Sequence, residues 1–322
     1  MVFRSLIGSF LLWLGLLASG AIAAPAHVVS ALKVTVLSTM LADGDQLGEW
    51  GYSALVEADG HKFLFDTGFH PDLVLSNARS LGVDLSRIDT VVLSHHHDDH
   101  TNGLVELRRE LGAKNPHAMA TTYVAAGLFD PRVDQDGKEE NAFLAQRPLY
   151  EKLGGRFVSY DKPVQLAPGV WLTGPVPRVH NETNWSPGDR RRTSAGLVED
   201  NIPEDSSIVI ETAQGLVIIT GCGHAGIVNI SDYARKITGQ QKIVAIIGGL
   251  HLFQKSDGVI RWTADQLRPF HPQYLLLGHC TGVEATYELR RLLGLTRATA
   301  VVSAVGSSFQ LGRGIDPGTI AR

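Results

Sequence analysis

Six consecutive residues, His95-His96-His97-Asp98-Asp99-His100, place four imidazoles and two carboxylates directly after the apolar run Thr90-Val91-Val92-Leu93-Ser94. Side chains alternate faces along an extended segment, so His95 and His97 point the same way. Asp99 and His100 follow where the chain turns. The spacing offers a pair of imidazoles to one metal ion and a carboxylate plus an imidazole to a second. Zn2+ accepts both donor types at roughly 2.0–2.2 Å. Without a cation, so many titratable groups at close quarters repel one another or lack solvation.

Three more histidines also follow apolar runs: His224 in Gly221-Cys222-Gly223-His224-Ala225-Gly226, His251 after Gly248-Gly249-Leu250, and His279 in Gly278-His279-Cys280-Thr281-Gly282. Parallel and mixed sheets gather such strand ends on one edge, where sites form. His224 then completes a three-histidine set with His95 and His97, and His279 completes a second set with Asp99 and His100. Each ion keeps an open position for water. For His251 two readings stay open, a contact to a ligand or substrate and a purely structural place. The two cysteines, Cys222 and Cys280, sit beside these histidines; a disulfide, two thiols and a thiolate ligand all remain open.

The elements that must position these groups are readable from pattern. Leu32 to Ser38 alternates like a strand. Ser53 to Ala58 and Lys62 to Asp66 flank Asp59-Gly60, a hairpin turn. Pro71 to Leu81 has a helical period, and Thr101-Asn102-Gly103 opens a helix over Leu104 to Leu111. Tyr123 to Ala126 reads as a strand, Asp130 to Arg147 as a charged surface insertion, and Val170 to Thr173 as a strand. Pro175 to Asp200 reads as a long loop of the kind that carries function, with Arg178, His180 and Trp185 as candidate substrate contacts and Arg190-Arg191-Arg192 as an anion contact or a solvated face. Ser206 to Thr212 and Leu216 to Thr220 form a second hairpin. Helices follow at Ile227 to Thr238, Thr263 to Leu267 and Val283 to Leu293, and strands at Ile243 to Ile247, Tyr274 to Leu277 and Ala300 to Ser303. Hairpins beginning each half, with helices between strands, imply two sheets face to face with helices outside, in one domain.

The motifs resemble those of the metallo-β-lactamase superfamily, whose His-x-His-x-Asp-His signature residues 95–100 match. Asp66-Thr67-Gly68, Thr220 to Gly226, Gly248 to His251, Gly278 to Gly282 and Glu199-Asp200-Asn201 are similar to one branch, the 7,8-dihydropterin-6-methyl-4-(β-D-ribofuranosyl)-aminobenzene-5'-phosphate synthase-like group. The similarity runs from about Lys33 to the C-terminal strand. It implies an α+β four-layer αββα sandwich of two mixed sheets, holding one or two metal ions: Zn2+, or else Mn2+ or Fe2+. It also implies that Asp66 accepts a hydrogen bond from a ligand imidazole. One departure stands out: Cys222 occupies what looks like the place of the superfamily's metal-bridging aspartate. Hydroxide alone can then bridge, Cys222 can bind as thiolate, or a single ion is held.

The 322-residue chain is 44% hydrophobic with a formal charge of −4, enough for a large core and without the basic excess that nucleic acid requires. Residues 1–23 resemble a secretory leader: Arg4, a short apolar stretch from Leu6 to Leu17, and a small-x-small site at Ala21-Ile22-Ala23. The stretch is short for a membrane span, and no cysteine lies nearby to carry lipid. The expectation is an exported, periplasmic or secreted protein without a stable membrane anchor, with residues 24–322 as one domain. The expected activity is metal-dependent hydrolysis of a small-molecule ester, a phosphoester or lactone, by water whose pKa the metal lowers from roughly 15.7 to about 7. Asp99 orients the nucleophile, and Asp98 is a weaker candidate for proton handling. The rival readings are a pterin-pathway synthase-like enzyme and a non-catalytic metal- or ligand-binding protein. Oligomeric state is not encoded in any motif.

Overall fold

The computed structural model describes residues 28–134 and 136–321; the expected leader lies outside them. Two sheets stack face to face. The first runs Gly314–Asp316, Ser308–Gln310, Leu32–Ser38, Ser53–Ala58, His61–Phe65, Thr90–Leu93, Thr121–Ala125, Arg156–Tyr160. The second runs Ala300–Val302, Tyr274–Leu277, Ile243–Gly248, Gly215–Thr220, Ile208–Thr212, Val170–Leu172, Val164–Ala167. Each mixes antiparallel hairpins with parallel neighbours, as at Ser53–Ala58 with His61–Phe65 and His61–Phe65 with Thr90–Leu93.

The two-residue period of the strands divides the core into three layers. Ile208, Ile210, Val217 and Ile219 point inward and meet Val34, Val56, Phe63 and Phe65 of the first sheet. Val209, Leu216 and Ile218 point outward, against Ile227 and Ile230 of helix Ile227–Thr238, Ala264 of helix Asp257–Leu267 and Leu289 of helix Val283–Leu292. On the other side Leu55, Leu64, Val91 and Leu93 face Val74 and Ala78 of helix Leu73–Ser80 and Leu104 and Leu107 of helix Leu104–Gly112. These layers make the expected α+β αββα sandwich.

Several boundaries differ from the pattern reading. The stretch Pro175 to Asp200 is not all loop: Arg190–Thr193 and Gly196–Glu199 pair as a hairpin, and Arg132–Val133 joins it as a third strand. Backbone pairing, not an apolar face, holds this small sheet, so hydrophobic periodicity gave no sign of it. The charged insertion at Asp130 to Arg147 is tied down by the same strand and leads into helix Phe143–Lys152, which buries Phe143 and Tyr150. Strands Arg156–Tyr160, Val164–Ala167, Ser308–Gln310 and Gly314–Asp316 lie at or next to the sheet edges and are too short for a period to declare itself. The helix expected at Thr263 begins earlier, at Asp257.

Parallel pairing is what builds the site. Gly215–Thr220, Ile243–Gly248 and Tyr274–Leu277 run side by side in the same direction, so the segments bearing His224, His251 and His279 emerge from one edge. His61–Phe65 and Thr90–Leu93 do the same for Asp66 and the histidine cluster. Gly248 has a φ of 105°, and a Cβ there would overlap the Thr220 carbonyl oxygen of the adjacent strand. Gly248→Ala is therefore expected to lower stability by more than about 1 kcal/mol, read from urea unfolding at fixed metal concentration.

Candidate metal centre

Asp66 leaves its strand with a φ of 57° and is fully buried. One carboxylate oxygen accepts the Ser94 N–H at 2.7 Å; the other accepts the Ser94 hydroxyl and His100 Nδ1–H, each at 2.7 Å. The Ser94 hydroxyl has a single proton, given to Asp66, so its oxygen accepts from His95 Nδ1–H at 2.8 Å. Both Nδ1 atoms are thus committed, and the Nε2 atoms of His95 and His100 are left to face the interior. His224 is set in the same way: its Nδ1–H donates to the Asn184 carbonyl at 2.5 Å.

The ligand atoms of His95, His97 and His224 all lie within 4.8 Å of one another. The Nε2 atoms of His95 and His224 are buried without a hydrogen-bond partner, an arrangement that costs free energy unless something accepts those lone pairs. Burial first, and the crowding of neighbouring imidazoles second, hold His95 and His224 well below the usual histidine range and bring His97 down to about 3. Neutral imidazoles converging on one point are the form a divalent metal binds, so the residues fit the ion.

A second set joins it. Asp99, His100, Cys222 and His279 form another group within the same 4.8 Å limit. Asp99 Oδ2 lies 3.1 Å from His279 Nε2 and 3.4 Å from His100 Nε2, and Cys222 Sγ lies 3.2 Å from His100 Nε2 and 3.7 Å from His279 Nε2. Burial resists charge on His100, yet Asp99 and Asp66 outweigh it and hold the imidazole well above its ordinary range. The field at this point therefore favours a cation. Cys222 Sγ also groups with His224 and His251, so the thiol lies between the two sets, in the place where a bridging carboxylate was missed. Both cysteines are free and buried, which removes the disulfide option; Cys280 Sγ donates weakly to the Cys222 carbonyl at 3.6 Å. His251 stands beside the first set, its ring 4.4 Å from that of His224.

Residues 51–188 match the Metallo-beta-lactamase superfamily profile. Over 253 residues the chain is 30% identical to 7,8-dihydropterin-6-methyl-4-(beta-D-ribofuranosyl)-aminobenzene-5'-phosphate synthase of Methanocaldococcus jannaschii, covering 73% of this chain and 82% of the relative. The chain belongs to the metallo-β-lactamase superfamily, in the branch of that synthase. Among solved structures, Tm1679, described as a metal-dependent hydrolase of the superfamily, superposes with a TM-score of 0.68 at 25% identity, over 81% of this chain and 93% of its own. The metallo-β-lactamase fold protein YhfI from Bacillus subtilis shares the fold, with a TM-score of 0.52 at 16% identity over 87% and 100% of the two chains.

A cleft of about 410 Å³ lies over the two sets, with His97 and Asp99 in its wall. Trp50, Phe69 and Ile202 give it apolar surface, while Asp98, Glu140 and Asp189 give it charge. Sequence reasoning missed all of these except Asp98. It also missed the buried chain behind His96, whose Nδ1 meets Glu204 at 2.7 Å; Glu204 pairs with Arg132 at 2.7 Å, and Arg132 with Asp200 at 3.0 Å. Burial raises the Glu204 carboxyl, but His96 and Arg132 outweigh it and bring its pKa to about 2. The Glu199-Asp200-Asn201 motif marked this segment in the sequence; nothing marked its partner Arg132.

The three expected substrate contacts are placed elsewhere. Arg178 spends its guanidinium on the carbonyls of His224 at 2.6 Å, of Ile202 at 2.9 Å and of Asn201, stacked 5.1 Å over Trp185. It buttresses the ligand loop because that loop's carbonyls need donors. His180 pairs with Asp232 at 2.6 Å, and Trp185 Nε1–H donates to Glu199 at 2.9 Å; none of the three lines the cleft. In the arginine run, Arg191 pairs with Asp130 at 2.6 Å as part of the small hairpin. Asp66→Asn, which keeps the shape but removes the charge that orients His100, is expected to weaken metal affinity about 10–100-fold, measured by competition with a chelator.

Proposed function

We propose that this protein is a metal-dependent hydrolase of an ester-type bond, a phosphoester or a lactone, in a small molecule. The observation that carries this reading is the pair of adjoining donor sets that meet at Cys222 under an open cleft. His95, His97 and His224 would hold one ion and Asp99, His100, His279 and Cys222 the other. We propose zinc, which suits imidazole, carboxylate and thiolate together, with Mn2+ or Fe2+ accepted by the same nitrogen and oxygen donors. Bound metal supplies Lewis acidity, lowering the pKa of water towards neutrality and polarising the scissile bond.

The chain's own residues do the positioning. Asp66 fixes His100 directly and His95 through Ser94. Trp50 packs edge-on against His279 at 5.3 Å between ring centroids and keeps water off that face. Asp99, held between His100 and His279, orients the attacking group. Asp98, one residue away in the cleft wall, is placed to take up or return a proton at the departing oxygen. Membership of the synthase branch supports a second reading, carbon–carbon or carbon–nitrogen bond formation on a phosphorylated substrate. The carboxylates in the cleft wall favour hydrolysis of a less anionic molecule. We also propose an exported location, resting on residues 1–23 alone; N-terminal sequencing of protein from cell fractions tests it.

A screen of metal-reconstituted protein with phosphodiester, phosphomonoester, lactone and β-lactam chromogens is expected to give turnover with one of the first three. His97→Ala should abolish it and lower metal content measured by elemental analysis; full activity in that variant refutes the assignment. Cys222→Ser should leave the first ion in place and weaken the second, seen as a fall from two bound ions towards one on dialysis.

A further inference from the structure

The wall of the cleft carries an excess of negative charge that the metal centre does not use. Asp99 belongs to a ligand set, and Asp200 is paired with Arg132. Asp98, Glu140 and Asp189 have no ion-pair partner among the described residues, although all three line the same cleft. The one arginine in the wall, Arg132, is 2% exposed and already donates from each of its nitrogens: Nε to Asp200, Nη2 to Glu204, and Nη1 to the carbonyls of Gly127, Leu128 and Asp130. It has nothing to offer an anion. His96 acts on Asp98 and Asp189, Arg190 on Asp189 and Lys138 on Glu140, all from beyond ion-pair distance. The carboxyls also act on one another: burial first, then Asp189, raises Glu140, and burial first, then Asp200, raises Asp189.

The same cleft presents two aromatic rings to solvent, Trp50 at 50% exposure and Phe69 at 40%. Both turns are held by one buried carboxylate: Glu49, next to Trp50 in the chain, accepts the N–H of Phe69 at 3.0 Å, the N–H of His70 at 2.7 Å and the Ser38 hydroxyl at 2.5 Å. Trp50 is braced from behind by Phe253 and His279. Fixed aromatic faces beside unpaired carboxylates are the surroundings that stabilise an organic cation, through ring quadrupole and charge together. The orphaned Nε2 atoms of His95 and His224 converge with His97 at the wall of this cleft, so a molecule seated there lies over the metal centre.

We propose that the substrate is an ester with one arm ending in an organic ammonium group, held by Trp50 and Phe69 and by Glu140 and Asp189, while the ester lies at the metal ions. The proposal rests on the hydrolase reading for the bond and on the cleft alone for the arm. The reaction is the ordinary one: water's oxygen bonds to the acyl or phosphoryl centre as the bond from that centre to the ester oxygen breaks, one proton leaving with the alcohol and the other with the acid.

Binding separates the two ideas. Calorimetry on zinc-loaded protein would compare choline, its uncharged carbon isostere 3,3-dimethylbutan-1-ol, and the anion 3,3-dimethylbutyrate. Choline is expected to bind about tenfold tighter than the isostere, and more weakly as salt rises. The preference should vanish in Glu140→Gln/Asp189→Asn, whose exposed positions leave folding and metal content unchanged, and should fall in Trp50→Leu. Equal binding of choline and the isostere, tighter binding of the anion, no binding of choline, or a preference that survives the double variant would each overturn the proposal. Hydrolysis of 4-nitrophenyl phosphocholine against 4-nitrophenyl 3,3-dimethylbutyl phosphate reads the bond chemistry separately. Cleavage of both at equal kcat/KM sinks the cationic arm and leaves the hydrolase. Cleavage of no ester in the whole screen, with choline binding intact, sinks the hydrolase and leaves the cation site.

Discussion

A single buried carboxylate organises the whole centre. Asp66 sits where the first hairpin ends, and its oxygens receive the Ser94 N–H, the Ser94 hydroxyl and His100 Nδ1–H. A carboxylate with no exposure to water is tolerated only when its oxygens are hydrogen-bonded, and these three donors engage both of them. The same contacts join strand His61–Phe65 to strand Thr90–Leu93 and dictate which nitrogen of His95 and His100 is bare. Thr67 continues the clamp, its N–H and hydroxyl both donating to the His100 carbonyl, at 2.7 and 3.0 Å. One hydrogen-bonded corner thereby orients a ligand from each of the two sets.

Around that corner the protein keeps its charges unevenly. The first set is three imidazoles that burial holds neutral; the second has Asp99, the neighbouring Asp66 and a thiol. An ion in the first position would be held by lone pairs alone, while one in the second would also neutralise negative charge. Cys222 lies between them. Burial pushes the Cys222 thiol up; bound as a thiolate it would be a softer donor than a carboxylate and would tilt the centre towards metals that accept sulfur. The Arg178 buttress works from outside, tying the His224 carbonyl to those of Asn201 and Ile202 and so the ligand loop to the cleft wall.

The small hairpin Arg190–Glu199 also belongs to the site. Asp200 just after it and Arg132 from the strand beside it form the buried pair that leads through Glu204 to His96. A chain segment that pattern alone reads as loose is thus anchored to the histidine cluster by charge-assisted hydrogen bonds. That anchoring gives the cleft a defined wall.

The sequence by itself determined the parts whose physics is local. His95, His97, Asp99 and His100 declare themselves because ligand spacing on an extended segment is a property of neighbouring residues. The hairpin at Asp59-Gly60 and the two-residue alternation of the long strands, which fix the layered sandwich, are equally local. His224 and His279 were legible one step further out, since parallel strands bring their ends to one edge. Tertiary structure alone decided the rest. Cys222 between the two sets, Arg132 on Glu204 and Asp200, and the Trp50 and Phe69 faces held by Glu49 join residues from distant parts of the chain. Arg178, His180 and Trp185 had the right chemistry for a substrate, but backbone carbonyls, Asp232 and Glu199 claimed them. A side chain's chemistry can be read from its type; the partner that uses it is set by which strands and loops pack together, and no local pattern records that.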